Sequence, residues 1–156
     1  MSLLIDGRSG VRRPAHQSGP RSRVSRGEDV AVLAEVAGLV LDEWQQDVLD
    51  DALALRPDGK WAAFEVGVVV PRQNGKGSIL EARELHALYR EPECRLIMHS
   101  AHEFKTANEA FRRLLELIDG NPKLSRRAKP RFTTGEQGVE LDDGSRQPPG
   151  LIVSQA

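Results

Sequence analysis

The chain of 156 residues predicts an α/β fold, with a parallel sheet and flanking helices. The first observation is a β-branched apolar run, 64–70, that is typical of a strand buried on both faces. The second is a shorter apolar run at 95–100. Because a segment with helical spacing follows each run, the order strand, helix, strand, helix favours parallel strands joined by helices.

Helices and a hairpin account for most of the remaining chain. Apolar residues recur at helical spacing in four segments, which we predict as helices: 28–39, 44–53, 79–89 and 103–118. Asp42 is the expected N-cap of the second helix, since its carboxylate can accept from the first free backbone amides. Short stretches at 131–134 and 137–141 predict the two strands of a hairpin.

Charge is unevenly distributed along the chain, although the 22 basic and 23 acidic residues nearly balance. Residues 1–27 contain six arginines and a single acidic residue, together with many Gly, Ser and Pro residues. This composition predicts a flexible, disordered basic arm. A solvated leader is the simpler interpretation of the arm, and contact with nucleic-acid phosphates is the alternative.

Composition excludes several classes of protein. Cys94 is the single cysteine, so neither a disulfide scaffold nor a multi-cysteine metal site can form. His99 and His102 lack a third ligand at matching spacing, so we predict no metal site there. No apolar run approaches the ~20 residues of a membrane-spanning helix, and we expect no membrane contact.

The segment 70–78 is the candidate binding loop of the chain, because it follows a predicted strand and precedes a predicted helix. Its Gly75-Lys76 pair matches part of the phosphate-binding pattern G-x-x-x-x-G-K-[ST]. Glycine lets backbone amides approach phosphate oxygens, and lysine supplies a point charge to the outer phosphates. The competing interpretation is a simple Asn-Gly turn between a strand and a helix.

Two positions of this loop depart from the pattern. Val70 replaces the first glycine, and Gly77 replaces the hydroxyl that would hold Mg²⁺, with Ser78 one step later. Arg72 and Lys76 nevertheless concentrate positive charge at a helix N-terminus. That location is unfavourable for cations unless an anion binds there, which supports a phosphate site.

The loop 69–77, Val-Val-Pro-Arg-Gln-Asn-Gly-Lys-Gly, resembles the variant Walker A loop of tailed-phage terminase large subunits, the ATPase motors that package viral DNA. The segment 41–45, Leu-Asp-Glu-Trp-Gln, resembles the adenine-recognition segment of that family. The segment 97–102 and the helix after it are similar to the family's second strand and its helix. The resemblance runs from about residue 31 to residue 146 and implies a P-loop NTPase-like fold with an incomplete sheet.

This resemblance implies a role for each residue of the loop. Lys76 would contact the β- and γ-phosphates of ATP, and Arg72 would sense or stabilise the γ-phosphate, so these two are the expected catalytic residues. Gln45 would read adenine, because a carboxamide can donate and accept at once. Mg²⁺ is expected with ATP, but Ser78 is a weak substitute for its missing ligand. The complete expected nucleotide site is Gln45, Arg72, Gln73, Asn74, Gly75, Lys76, Gly77 and Ser78.

Residues that hydrolysis requires are missing from the sequence. Phosphoryl transfer to water needs a metal-holding Asp and a residue that orients the water, and in this family both stand as Asp-Glu at the end of an apolar strand. Arg146 is followed instead by Gln-Pro-Pro-Gly. We therefore expect residues 28–146 to be a partial ATPase domain and residues 147–156 a tail outside the family pattern, with the reading frame lost or cut after Arg146. Such a fragment would be weakly active or inactive alone, and its status as an enzyme stays open.

Partners follow from the same resemblance: double-stranded phage DNA, the terminase small subunit and the portal, in the cytoplasm of a bacterial host. An alternative is a non-catalytic module that binds nucleic acid or protein through the arm and the basic cluster 126–131, with a vestigial loop. A third hypothesis is a complete small P-loop kinase or other NTPase. The absence of an apolar strand ending in Asp-Glu argues against it.

Overall fold

The computed structural model describes residues 14–20, 22, 24–133, 136–142 and 150–155. Its helices are α1 (Gly27–Val36), α2 (Glu43–Ala52), α3 (Lys76–Arg90), α4 (Phe104–Asp119) and the short α5 (Pro122–Ser125). Its strands are β1 (Leu96–Ala101), β2 (Ala128–Thr133), β3 (Glu136–Leu141) and β4 (Gly150–Gln155). This content confirms the predicted α/β class. None of the helices in the described ranges has the length and apolarity that crossing a bilayer requires.

The sheet is mixed rather than wholly parallel. Its described strands lie in the order β1-β4-β3-β2. β1 and β4 run parallel, whereas β4–β3 and β3–β2 are antiparallel pairs. The β2–β3 pair confirms the predicted hairpin, since adjacent antiparallel strands need only a short turn. Parallel pairing is therefore found at β1 and β4, which a long crossover containing α4 connects.

The predicted strand at 64–70 is wrong. This segment pairs with none of the described strands and lies largely at the surface, with Phe64 106% and Val69 99% exposed. Its β-branched composition favours extended backbone, but strands are stabilised mainly by cross-strand partners and burial rather than by propensity alone. Because none of the strands in the described ranges pairs with the segment, its backbone remains irregular.

The chain after Arg146 holds a strand that sequence patterns did not assign. We expected residues 147–156 to be a tail, yet residues 150–155 form β4, which lies between β1 and β3. Leu151 is 1% and Val153 0% exposed, because alternate residues of the strand face the helices. The segment is thus integrated in the sheet, while its place outside the family pattern stays a prediction.

Two clusters of buried apolar side chains flank α3. The larger one fills the space between the sheet, α3 and α4. Phe104, the first residue of the apolar stripe predicted for α4, is half-buried, and the other residues of the stripe are buried: Ala107, Phe111, Leu114, Leu115 and Ile118. The smaller one joins α1 and α2 to the first turns of α3: Val30, Ala34, Leu41, Leu49, Leu53, Ile79 and Ala82. α3 therefore packs against both clusters, with its first turns in the smaller one and its C-terminal half in the larger one.

Contacts with the domain begin before Glu28, within the last residues of the expected arm. The Arg26 amide donates to the Leu53 carbonyl, and the Leu55 amide donates to the Val24 carbonyl. The Arg26 guanidinium also lies 5.8 Å from the centroid of the Trp61 ring. Residues 1–13, which contain half of the arm's arginines, are outside the described residues.

Candidate functional site

The predicted phosphate loop ends where α3 begins, at Lys76 rather than at residue 79. Gly75 is the N-cap and has a φ of 75°, a left-handed conformation that glycine adopts without strain. The backbone amides of Lys76 and Gly77 lie in the first turn, where no intrahelical acceptor exists for them. The first turn of α3 contains no acidic residue. This end of the helix is therefore suited to an anion.

Two cationic side chains stand at this helix end. Arg72 and Lys76 are both exposed, and within the described ranges neither forms an ion pair with a carboxylate. Gln73 and Asn74 between them are exposed as well, and Gln73 has a positive φ of 59°. The structure therefore brings together the loop residues predicted from the sequence and leaves their polar groups accessible.

Gln45 reaches this loop from another element, 30 residues away in sequence. It lies in the first turn of α2, where its Oε1 accepts from the Asp42 amide at 2.7 Å. Its Nε2 donates to the Gly75 carbonyl at 2.8 Å. The predicted N-cap Asp42 is confirmed as part of a capping box with Gln45. The predicted proximity of Gln45 to the loop is thus present in the structure.

Beneath the loop lies an ion pair that the sequence did not predict. Glu81 on α3 is 3% exposed, and its Oε1 lies 3.0 Å from Nη2 of Arg113 on α4. Burial raises the pKa of Glu81, although Arg113 opposes that shift. A glutamate four residues after Gly77 could have indicated an ion pair near the loop. Its partner Arg113 is 32 residues away, however, and only the packing of α3 on α4 shows that the two residues meet.

Space at Gly77 is bounded by that same pair. A Cβ on Gly77 would lie 3.5 Å from Oε1 of Glu81 and 3.6 Å from Nη1 of Arg113, which is ordinary contact. Gly77 itself supplies no side-chain oxygen, and the nearby carboxylate of Glu81 is paired with Arg113. Ser78 is half-buried, and its amide donates to the Gly75 carbonyl at 3.1 Å. The loop thus presents amides and cations to an anion but no hydroxyl at the position that would hold Mg²⁺.

The two histidines discussed as metal ligands have separate carboxylate neighbours. Nδ1 of His99 on β1 lies 2.5 Å from Oε1 of Glu84 on α3. This hydrogen bond raises the pKa of His99. His102 lies 3.6 Å from Glu103 and is exposed. The His99–Glu84 contact therefore helps to hold α3 on the sheet.

Comparison with known proteins identifies the fold. No protein-family model matches the sequence, and no curated protein matches it. The crystal structure of the bacteriophage HK97 large terminase is similar, with a TM-score of 0.59, 22% identity, and coverage of 84% of this chain and 27% of that one. The large terminase ATPase domain of Thermus phage P74-26 is also similar, with a TM-score of 0.52, 12% identity, and coverage of 85% and 51%. The chain has the fold found in these phage terminases and spans about a quarter and a half of their lengths.

Proposed function

We propose that the chain is the nucleotide-binding part of a phage terminase large subunit, an ATP-driven motor for DNA packaging. The observation that carries this proposal is the Gly75-Lys76 loop at the N-terminus of α3, with Arg72 and Lys76 accessible beside it. The similarity to two phage large terminases supports the same function. Double-stranded DNA, the small subunit and the portal are the proposed partners, in the cytoplasm of the bacterial host.

In this proposal each loop residue acts on the phosphates of ATP. The first-turn amides of α3 and the side chain of Lys76 bind the outer phosphates, and Arg72 stabilises charge on the γ-phosphate. Gln73, Asn74, Gly77 and Ser78 complete the lining of the loop. Gln45 differs from these residues, because the oxygen and the nitrogen of its side-chain amide both bond backbone groups.

Mg²⁺ fits this site poorly. The position after Lys76 in the phosphate-binding pattern normally supplies a hydroxyl, and here it is Gly77. We therefore derive no step through the metal. Weak binding and slow hydrolysis of ATP are expected for this chain, because Gly77 supplies no ligand and segment 64–70, which leads into the loop, is not held by a neighbouring strand.

Lys76→Ala is expected to weaken ATP binding roughly tenfold, the effect of losing one charge-assisted contact. The measurement is isothermal titration of the chain with ATP. Lys105→Ala is the matched control, because Lys105 is an exposed lysine in the first turn of α4. Equal ATP affinities for the two variants would contradict the proposed site.

A hydroxyl restored at Gly77 is expected to recruit Mg²⁺. Since a Cβ there makes only ordinary contacts, both Gly77→Ser and Gly77→Ala should fold, and removing a helical glycine should stabilise each by about 0.5 kcal/mol. Mg²⁺ should increase the affinity of Gly77→Ser for ATP and leave the ATP affinity of Gly77→Ala unchanged. Titrations with ATP in the presence and absence of Mg²⁺ measure the difference, and the same response in both variants would show that this position does not face the metal.

The alternative function is a non-catalytic module that binds through the basic arm and the basic cluster 126–131. Most of the arm lies outside the described residues, so the structure bears only on the cluster. Nζ of Lys129 lies 2.6 Å from Asp142, and Nη2 of Arg131 lies 2.7 Å from Glu140. The Arg127 guanidinium lies over the Tyr89 ring at 5.7 Å. These contacts reduce the charge that the cluster offers to nucleic-acid phosphates.

A further inference from the structure

We infer that Gln45 is a positioning residue that orients the phosphate loop, rather than the residue that reads adenine. The inference rests on the proposed function, because it assigns a role within the same site. It follows from three features: the bonding of the Gln45 amide, the peptide unit that this amide holds, and the close approach of Gln45 to Gly75.

The amide of Gln45 is already engaged at both of its polar atoms. Its Oε1 accepts from the Asp42 amide at 2.7 Å, and its Nε2 donates to the Gly75 carbonyl at 2.8 Å. The residue is only 4% exposed. Each atom keeps one further hydrogen or lone pair, but the burial of the residue leaves a base no open approach to them. Presenting the amide to adenine would therefore require it to turn, which would break both bonds and leave two backbone groups without these partners.

The bond to Gly75 adds a second constraint on the direction of one peptide unit, which the first turn of α3 also orients. The Gly75 carbonyl and the Lys76 amide belong to the same planar peptide, which is trans, so the two groups point in opposite directions. Gln45 binds the carbonyl on the side of α2, and the Ser78 amide binds the same oxygen at 3.1 Å. The Lys76 N–H is therefore directed away from α2, as a donor for the anion.

Close approach explains why this arrangement requires glycine. A Cβ on Gly75 would lie 2.8 Å from Nε2 of Gln45, a distance that real Cβ contacts do not show. The positive φ of 75° would also strain any other residue. The Trp44 ring reaches within 4.0 Å of the same Cβ position and closes the other side of the contact. Gln45 and Gly75 thus form one fitted contact between α2 and the loop.

The test compares Gln45→Glu with Gln46→Glu in the full chain. Both variants add one negative charge to the same turn of α2, but Nε2 of Gln46 bonds the Leu41 carbonyl and not the loop. Gln45→Glu retains an acceptor for the Asp42 amide and loses the donor to Gly75. The probes are ATP and inorganic tripolyphosphate, which has no base. A positioning role predicts that Gln45→Glu binds both probes roughly tenfold more weakly than Gln46→Glu does.

Acidification gives a second readout of the same contact, taken at pH values at which circular dichroism shows both variants to be fully folded. Burial beside a carbonyl raises the pKa of an introduced carboxyl, and its protonated form can donate to the Gly75 oxygen as the amide does. The difference in tripolyphosphate affinity between the two variants should therefore narrow as the pH falls. Equal tripolyphosphate affinities, with ATP binding weakened only in Gln45→Glu, would overturn the inference and assign Gln45 to adenine.

Failure of the proposed function would be recognised separately, as a wild-type chain that binds neither probe. The inference can still be judged in that case from the amide resonance of Lys76 in NMR spectra. A shift of this resonance in Gln45→Glu but not in Gln46→Glu would support the positioning role. The same resonance position in both variants would overturn it.

Discussion

Phe111→Ala is expected to destabilise the fold by about 4 kcal/mol, the largest effect we predict. Phe111 is 2% exposed and sits in the middle of α4, within the cluster that joins α3, α4 and the sheet. Its ring also meets Phe132 of β2 edge-to-face, with centroids 6.3 Å apart and planes at 64°. Truncation would remove these contacts and leave a cavity that the neighbouring helices and strands only partly fill.

Urea unfolding measures this effect, and Phe64→Ala is its matched control. The Phe64 side chain is 106% exposed, so the same chemical change there should alter the free energy of unfolding by no more than about 0.5 kcal/mol. Because a domain of this size is stabilised by only about 5–15 kcal/mol, Phe111→Ala should be close to unfolded at moderate urea concentrations. Equal losses in the two variants would mean that the α4–sheet cluster is not the main core.

Glu91→Gln is expected to cost about 3 kcal/mol, the second largest effect. Glu91 follows α3 and is 3% exposed. Its two carboxylate oxygens accept from both terminal nitrogens of Arg83, at 2.8 and 3.0 Å, and Oε1 also lies 3.0 Å from Nδ1 of His86. An amide in its place would point a donor group at the guanidinium and leave the half-buried charge of Arg83 without its carboxylate. Thermal unfolding of Glu91→Gln against Glu93→Gln, a change at an exposed glutamate two residues later, isolates this effect.

Acid should remove the same stabilisation from the wild-type chain. Burial alone would raise the pKa of Glu91, but the hydrogen bonds from His86 and Arg83 hold it below its usual value of 4.5. A carboxyl whose folded-state pKa is depressed stabilises the fold above the pKa of the unfolded state, and this contribution is lost as the pH falls through the folded-state pKa. The difference in stability between wild type and Glu91→Gln should therefore shrink below about pH 4.5. A difference independent of pH would show that the charge of Glu91 is not what stabilises the site.

Sequence patterns were sufficient to predict those elements that are stabilised by contacts between residues close together in the chain. The capping box of α2 joins Asp42 to Gln45 within one turn, and its start was predicted from residue types. The apolar stripe of α4 and the 131–141 hairpin were predicted for the same reason, since helical periodicity and short turns are local properties. The loop around Gly75-Lys76 was identified by its motif, because positive φ and a helix N-terminus are also local requirements.

Strand formation could not be judged from the same kind of pattern. Residues 64–70 were interpreted as a buried strand and residues 147–156 as a tail outside the family pattern. In the structure residues 64–70 are irregular, whereas residues 150–155 form β4. None of the described strands lies beside residues 64–70, whereas β1 and β3 flank residues 150–155 on both sides. Apolar, β-branched sequence makes a strand possible, but backbone partners distant in sequence decide whether it forms.

The polar side chains around the loop likewise depend partly on local sequence and partly on contacts between distant elements. Residue types along the chain indicated a phosphate loop, and the resemblance to the terminase family implied that Gln45 belongs to its site, but neither could show which groups the Gln45 amide bonds. Packing of α2 against the loop directs that amide to Gly75, and packing of α4 on α3 brings Arg113 to Glu81. Buried polar groups are satisfied by whatever partner the fold brings within hydrogen-bond distance. Local chemistry therefore indicated where an anion could bind, and only the tertiary contacts decided which residues hold the loop in place.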